Sequence, residues 1–156
     1  MATPFPTMFG RPRRYIPALA PVLDRLEPYA YPLVRFTCGA LLVPHGWMKL
    51  FEGGLPGTVG GFSKLGLEPA YPLAVYIALL ELVGGAMIAL GFLTRLFAVQ
   101  VVGFMAVATF WAHWSNGYVW NKGGYEMPLF WMLIAIAVCF GGSGRLSVDR
   151  ALGKEL

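Results

Sequence analysis

The sequence YPLAVYIALLELVGGAMIALGFL, residues 71–93, decides the fold, because it is an apolar run with a single charged residue near its middle. About 20 consecutive apolar residues are enough for a helix to cross the hydrocarbon core of a bilayer. At about 1.5 Å per helical residue, Glu81 would lie roughly 15 Å from the Tyr71 end, close to the midplane. A carboxylate at that depth is costly unless it is paired, protonated or hydrated, so it usually marks a functional site.

Small residues share the helix face that carries Glu81. They recur with it every three or four positions, which places them on one side of a helix; they are Ala74, Ala78, Gly85 and Ala89. Small side chains allow a second helix to approach closely within a membrane. We therefore predict that this face packs inward and that Glu81 meets a partner there.

The composition indicates an integral membrane protein. Hydrophobic residues make up 57% of the 156 residues and charged residues 13%, whereas a soluble domain has about 25% charged residues. The net charge of +4 does not indicate nucleic-acid binding, because the basic residues are spread along the chain and form no basic face. We expect membrane lipid, and no nucleic acid, among the partners.

Four apolar runs predict an all-α, integral membrane four-helix bundle. The predicted spans are about 31–50, 71–91, 96–114 and 127–140, and the Gly-rich connection after the first is interpreted as a short interfacial or re-entrant helix. Residues 1–28 contain several Arg and Pro residues, with a short apolar part broken by Pro17 and Pro21, so they are interpreted as an interfacial N-terminal arm. Residues 29–150 would form the membrane domain and residues 151–156 a cytoplasmic tail.

The basic residues predict the orientation of this bundle. One side would carry Arg11, Arg13, Arg14, Arg25, Arg95, Arg145, Arg150 and Lys154, and the other Lys49, Lys64 and Lys122. Since positive residues accumulate on the cytoplasmic side, both termini are predicted to be cytoplasmic.

One face of the first span collects polar residues. Arg35, His45 and Lys49 fall on it at helical spacing, although Arg35 and Lys49 could also extend from opposite ends of the span toward water. We interpret the alignment as an inward polar face. The prediction is that Arg35 reaches Glu81 from the inner side as an ion pair or through water, with His45 as the competing partner.

Polar groups from different spans are predicted to converge near the outer surface. His45, Glu81 and His113 are the candidate catalytic residues; the candidate ligand-binding residues are Arg35, Lys49, Glu126, Trp47, Trp111 and Trp114. Such a pocket with apolar walls suits an amphipathic ligand. The alternative is that the tryptophans anchor one leaflet and the histidines satisfy local hydrogen bonds.

No motif in the sequence indicates a metal site. Cys38 and Cys139 form no CxxC pair and are interpreted as free, small apolar residues. Two histidines can ligate one haem, but the sequence has no CxxCH and His113 would lie nearer the surface than His45. Haem is therefore the disfavoured cofactor.

Several short segments resemble one known family. They are Arg35, residues 45–49 (HGWMK), 62–66 (FSKLG), Glu81 with Gly84 and Gly85, 91–95 (GFLTR), 124–126 (GYE) and 142–150 (GSGRLSVDR). In this order, over about residues 32–150, the sequence resembles the DoxX family of small four-helix membrane proteins. The resemblance implies a multi-pass protein of the bacterial or archaeal cytoplasmic membrane.

Members of that family are linked to quinone-dependent oxidoreductases, including thiosulfate oxidation, and to oxidative-stress complexes. The resemblance thus implies a quinone-interacting subunit of a redox or respiratory complex, whose polar pocket opens at the outer face and whose electron donor is another subunit. The alternative is a non-catalytic structural or assembly subunit that binds lipid, a partner chain or further copies of itself. Whether the chain is itself an enzyme stays open at this point.

Overall fold

The computed structural model describes residues 14–156, and within that range every regular element is helical and no strand occurs. The helices are α1 (Ala20–Ala40), α2 (Val43–Phe51), α3 (Leu55–Lys64), α4 (Ala70–Leu90), α5 (Thr94–Ala112), α6 (Glu126–Gly141) and α7 (Val148–Ala151). Short 3₁₀ turns occur at Pro17–Leu19, Trp114–Asn116 and Trp120–Lys122. The predicted all-helical architecture is confirmed for this part of the chain.

Two of these helices are long and apolar enough to cross a membrane, among the described residues. They are α4, with 21 residues, and α5, with 19 residues. The α6 helix is equally apolar in character but has only 16 residues. The α5 and α6 helices pack against each other, and their contact contributes Ala98, Val101, Met105, Met132, Ala135 and Val138 to the core.

The first predicted span is divided between two helices. The α1 helix begins at Ala20 and ends at Ala40, and α2 begins at Val43. Pro44 accounts for the break, because it cannot donate a backbone hydrogen bond and its ring clashes with the carbonyl four residues earlier. Arg35 therefore lies on α1, whereas His45 and Lys49 lie on α2.

Part of the predicted N-terminal arm is helical in the described region. Pro21 lies in the first turn of α1, where a missing N–H group costs no hydrogen bond, so it begins the helix instead of breaking it. Residues 20–28 accordingly belong to α1. The remainder of the predicted arm, residues 1–13, lies outside the described residues.

The α4 helix is the centre of the packing, and its small-residue face receives both α1 and α2. A Cβ atom added to Gly39 would lie 2.3 Å from the Gly85 carbonyl oxygen, and one added to Gly46 would lie 2.4 Å from the Leu82 backbone nitrogen. Ala74 and Ala78 on the same face are fully buried. The prediction that this face packs inward against another helix is confirmed, and the approach is close enough to require glycine.

Arg35 fixes the end of α4 that is remote from His45. Its Nη1 donates to the carbonyl oxygens of Ile88 and Ala89, at 2.8 and 3.0 Å, and its Nη2 donates to Leu146 O at 2.5 Å. The last carbonyls of a helix lack partners within the helix and carry partial negative charge, so a buried guanidinium satisfies them. The predicted pairing of Arg35 with Glu81 is therefore wrong.

Asp149 stabilises the same end of the bundle as Arg35. The α4–α5 turn passes through left-handed residues Gly91 (φ 73°) and Leu93 (φ 49°). The Asp149 carboxylate accepts from Leu93 N at 3.0 Å, and Asp149 N donates to Gly91 O at 3.0 Å. Arg35 and Asp149 together hold the turn from both sides.

We predict that Gly39→Leu separates α1 from α4, whereas Gly103→Leu does not disturb the fold. The Gly39 position abuts the α4 backbone, while nothing lies within 4 Å of a Cβ at Gly103. Overpacking the first site should cost about 3 kcal/mol, and replacing a helical glycine at the second should be neutral or stabilising. Thermal unfolding of the two detergent-solubilised variants measures the difference. Equal melting temperatures would contradict the close contact.

Candidate functional site

A cavity of about 290 Å³ lies between α2, α4, α5 and α6, at the end of the bundle opposite Arg35. Apolar residues form most of its wall; they are Leu42, Phe104, Met105, Met127 and Pro128. The remaining lining residues are His45, Glu81, His113 and Trp131. The structure therefore brings together all three of the predicted catalytic residues from different parts of the chain.

Both Glu81 and His113 are positioned by π-helical turns. Glu81 lies within the turn Leu80–Gly84 of α4, and the turn Ala108–Ala112 ends α5 directly before His113. The His113 N–H group donates to Ala108 O at 3.0 Å, which is the five-residue spacing of a π turn. Such turns insert an extra residue, rotate the side chains that follow and occur frequently at functional sites.

The partner of Glu81 is Lys49. Lys49 Nζ donates to Glu81 Oε2 in a salt bridge, and the Glu81 side chain is only 5% exposed, compared with 22% for Lys49. The close approach of Gly46 to α4 places the next turn of α2 beside Glu81 and so makes this pairing possible. A carboxylate in an apolar bundle needs such a counter-ion, because an unpaired buried charge is strongly destabilising.

Lys49 also contacts the cavity wall through Phe104. Its Nζ lies 5.9 Å from the centroid of the Phe104 ring, within the range of a cation–π interaction. Lys49 therefore contacts both Glu81 and Phe104. It compensates the charge of the carboxylate without being a lining residue itself.

The hydrogen bond of His113 fixes its tautomer when the ring is neutral. His113 Nδ1 lies 2.7 Å from Gly123 O, and since a carbonyl oxygen only accepts, Nδ1 carries the proton. The Nε2 atom of the neutral ring is then an acceptor. His45 lines the same cavity from α2 and its side chain is exposed.

Trp131 is the lining residue with a polar group that the sequence did not predict. Its indole Nε1 is buried and has no hydrogen-bond partner among residues 14–156. The available signal was its position, because Trp131 lies inside the apolar run of α6, whereas membrane-anchoring tryptophans lie at span ends.

Within the described residues, no group of three His, Cys, Asp or Glu side chains is arranged to hold a metal ion.

The other predicted ligand-binding residues lie outside the cavity lining. Trp111 Nε1 donates to Leu65 O at 3.0 Å, and Glu126 accepts from Trp120 N at 3.1 Å. Trp114 stacks on Tyr125 with centroids 4.5 Å apart, and Trp47 contacts Phe51 at 4.4 Å. The three tryptophans are half or more exposed, and none of them lines the cavity. Arg35 lies at the opposite end of the bundle.

Comparison with known proteins agrees with the resemblance seen in the sequence. The DoxX family model matches residues 31–114, a range that includes His45, Lys49, Glu81 and His113. The chain is 31% identical over 143 residues to the inner membrane protein YqjF of Escherichia coli K12, which covers 85% of this chain and 99% of that protein.

Two further relatives have similar coverage. The chain is 30% identical over 126 residues to the Bacillus subtilis protein named "Putative oxidoreductase CatD", covering 78% of this chain and 86% of that protein. It is 28% identical over 132 residues to an uncharacterized membrane protein of Mycobacterium tuberculosis, covering 78% and 80%. No solved structure matches. The family match and the near-complete coverage of the relatives show that this chain belongs to the DoxX family of membrane proteins.

Proposed function

We propose that the protein is a quinone-interacting membrane subunit of a redox complex, and that the quinone head group binds in the cavity lined by His45, Glu81 and His113. The observation that carries this proposal is the convergence of two imidazoles and a carboxylate in one otherwise apolar cavity. Groups that can move protons are rarely placed together within a membrane helix bundle without a function.

The size of the cavity supports binding of a head group. Its volume of about 290 Å³ is near the lower limit of ligand pockets, which begin at about 300 Å³. It would therefore hold a ring with its oxygen substituents, while an apolar tail would lie among lipid chains. The apolar wall, which includes Phe104 and Met105, suits the faces of such a ring.

The polar residues can serve the proton chemistry of a quinone. Reduction of a quinone to a quinol takes up two electrons and two protons, and a partner subunit would supply or accept the electrons. Neutral His113 can accept a proton or hydrogen bond at Nε2, and a protonated imidazole can return it. His45 and Glu81, the latter held by Lys49, are the other groups at the wall able to accept a proton.

The oxidoreductase wording in the name of the Bacillus subtilis relative supports a redox function. The alternative proposal is a structural or assembly subunit that binds lipid or a partner chain. The exposed aromatic side chains of the α5–α6 connection, including Tyr118 and Trp120, favour it, since they offer a contact surface.

We further propose four membrane-crossing segments in a bacterial cytoplasmic membrane, with both termini in the cytoplasm. The segments are α1 continued by α2, α4, α5 and α6. Their mutual packing supports this arrangement, because α1 contacts both α4 and α6, and α5 contacts α6. The excess of basic residues on the Arg95 side supports the orientation.

Cysteine labelling tests this topology. In a background with Cys38 and Cys139 replaced by alanine, a cysteine at Ser63 or Asn116 should react with an impermeant maleimide in intact cells, because both positions would be outside. A cysteine at Arg145 should react only after permeabilisation and serves as the inner control. Labelling of Ser63 and Asn116 only after permeabilisation would reverse the orientation.

Two substitutions test the proposed site. We expect His45→Ala and His113→Ala to lower quinone-linked turnover in membranes by about 10²-fold or more, the usual contribution of a general acid or base, while the protein still accumulates. Tyr76→Phe is the control, because Tyr76 bonds Gln100 on the exposed surface. Loss of accumulation in the two variants would favour the structural alternative, and normal activity with normal accumulation would exclude the site.

A further inference from the structure

We infer that Trp131 is a ligand-binding residue whose indole N–H donates a hydrogen bond to a carbonyl oxygen of the ligand, and that it favours the oxidised ligand over the reduced one. This inference rests on the proposed quinone function. It places a ligand contact on α6, outside residues 31–114, which the family model matches.

The first step is the state of the indole nitrogen. Trp131 lines the cavity, and its Nε1 is shielded from solvent without an acceptor among residues 14–156. Nearly all buried donors in folded proteins have a partner, and leaving one unmade costs free energy. Arg35 Nε and Thr94 Oγ1 are also unpaired, but neither residue lines the cavity, so Trp131 is the one for which a molecule in the cavity would supply the acceptor.

The second step is a comparison with the other tryptophans. Trp111 Nε1 donates to Leu65 O, so the protein satisfies it. Trp47, Trp114 and Trp120 are half or more exposed, which leaves their indoles accessible to solvent or to lipid head groups. Among the five tryptophans of the chain, Trp131 thus combines a buried donor with a place in the cavity wall.

The third step is the chemistry of recognition. An indole N–H group donates and never accepts, so it requires an acceptor oxygen. His113 and Glu81 line the same cavity as Trp131. The second carbonyl oxygen of a quinone also requires a donor, which His113 Nε2 provides when the ring is protonated.

The preference for the oxidised form follows from the acceptor strength of that oxygen. A quinone carbonyl oxygen is a good hydrogen-bond acceptor, whereas the hydroxyl oxygen of a quinol is a weaker acceptor and is itself bonded to a hydrogen. Removing the Trp131 donor should therefore weaken quinone binding more than quinol binding. A residue that only fills space would change both affinities by the same factor.

The test uses the full chain in lipid nanodiscs and a short-chain 1,4-naphthoquinone, with its quinol measured under anaerobic conditions. In Trp131→Phe, which keeps an aromatic ring but lacks the donor, the quinone Kd by calorimetry should rise about 5- to 100-fold, the range expected for one buried hydrogen bond. The quinol Kd should change by less than about 3-fold. Trp120→Phe, at an exposed loop position, is the matched control and should match the wild type.

A second measurement needs no change at Trp131. With the tryptophans labelled with ¹⁵N, quinone should shift the Nε1–H resonance of Trp131 in the wild type downfield, with the other four signals assigned by their own Phe variants. The inference is wrong, and the proposed function survives, in either of two cases. In the first, the wild type and Trp131→Phe bind quinone equally well. In the second, the wild type binds quinone but the Trp131 resonance does not move. If the wild type binds no quinone, both fail.

Discussion

The buried ion pair between Lys49 and Glu81 is the interaction on which the rest of the structure depends. Glu81 lies in the most apolar part of the chain, so the fold must bring a cation to it or leave a charge uncompensated. The contact of Gly46 with the α4 backbone brings α2 near enough for Lys49 to reach it. The same approach places His45 beside Glu81 in the cavity wall. The pair thus joins the stability of the bundle to the geometry of the site.

The two ends of the bundle divide the charged residues between two roles. At one end, Arg35 and Asp149 satisfy backbone groups around the α4–α5 turn, and their side chains are buried within the protein. At the other end, His45, Glu81 and His113 face a cavity. Charge at the first end stabilises the fold, and charge at the second is available to a ligand. The ionisable groups of this small membrane protein therefore do not all belong to the cavity, because those at the first end bind the backbone.

Sequence periodicity predicted the inward face of α4 and the convergence of His45, Glu81 and His113, because small residues and charges at helical spacing are visible in the chain itself. It failed on the partner of Glu81, because helical spacing shows which residues share a face but not which of two cations on that face reaches Glu81. Arg35 instead binds the carbonyl oxygens of Ile88 and Ala89. The π turns at Glu81 and before His113 leave no mark in the apolar pattern. The unpaired indole of Trp131 depends on which atoms surround it after folding, which spacing along the chain does not encode.

The most direct test of this account is a double-mutant cycle on Lys49 and Glu81, measured as the free energy of unfolding in a membrane-like environment. Lys49→Met and Glu81→Gln should each cost about 3–5 kcal/mol, since each leaves its partner buried alone. The double variant should be more stable than the sum of the two losses by at least about 2 kcal/mol. The uncharged hydrogen-bonded pair Tyr76 and Gln100, changed to Phe and Ala, should show a smaller coupling, of about 0.6 kcal/mol. Losses at Lys49 and Glu81 that simply add would contradict the central role of their ion pair.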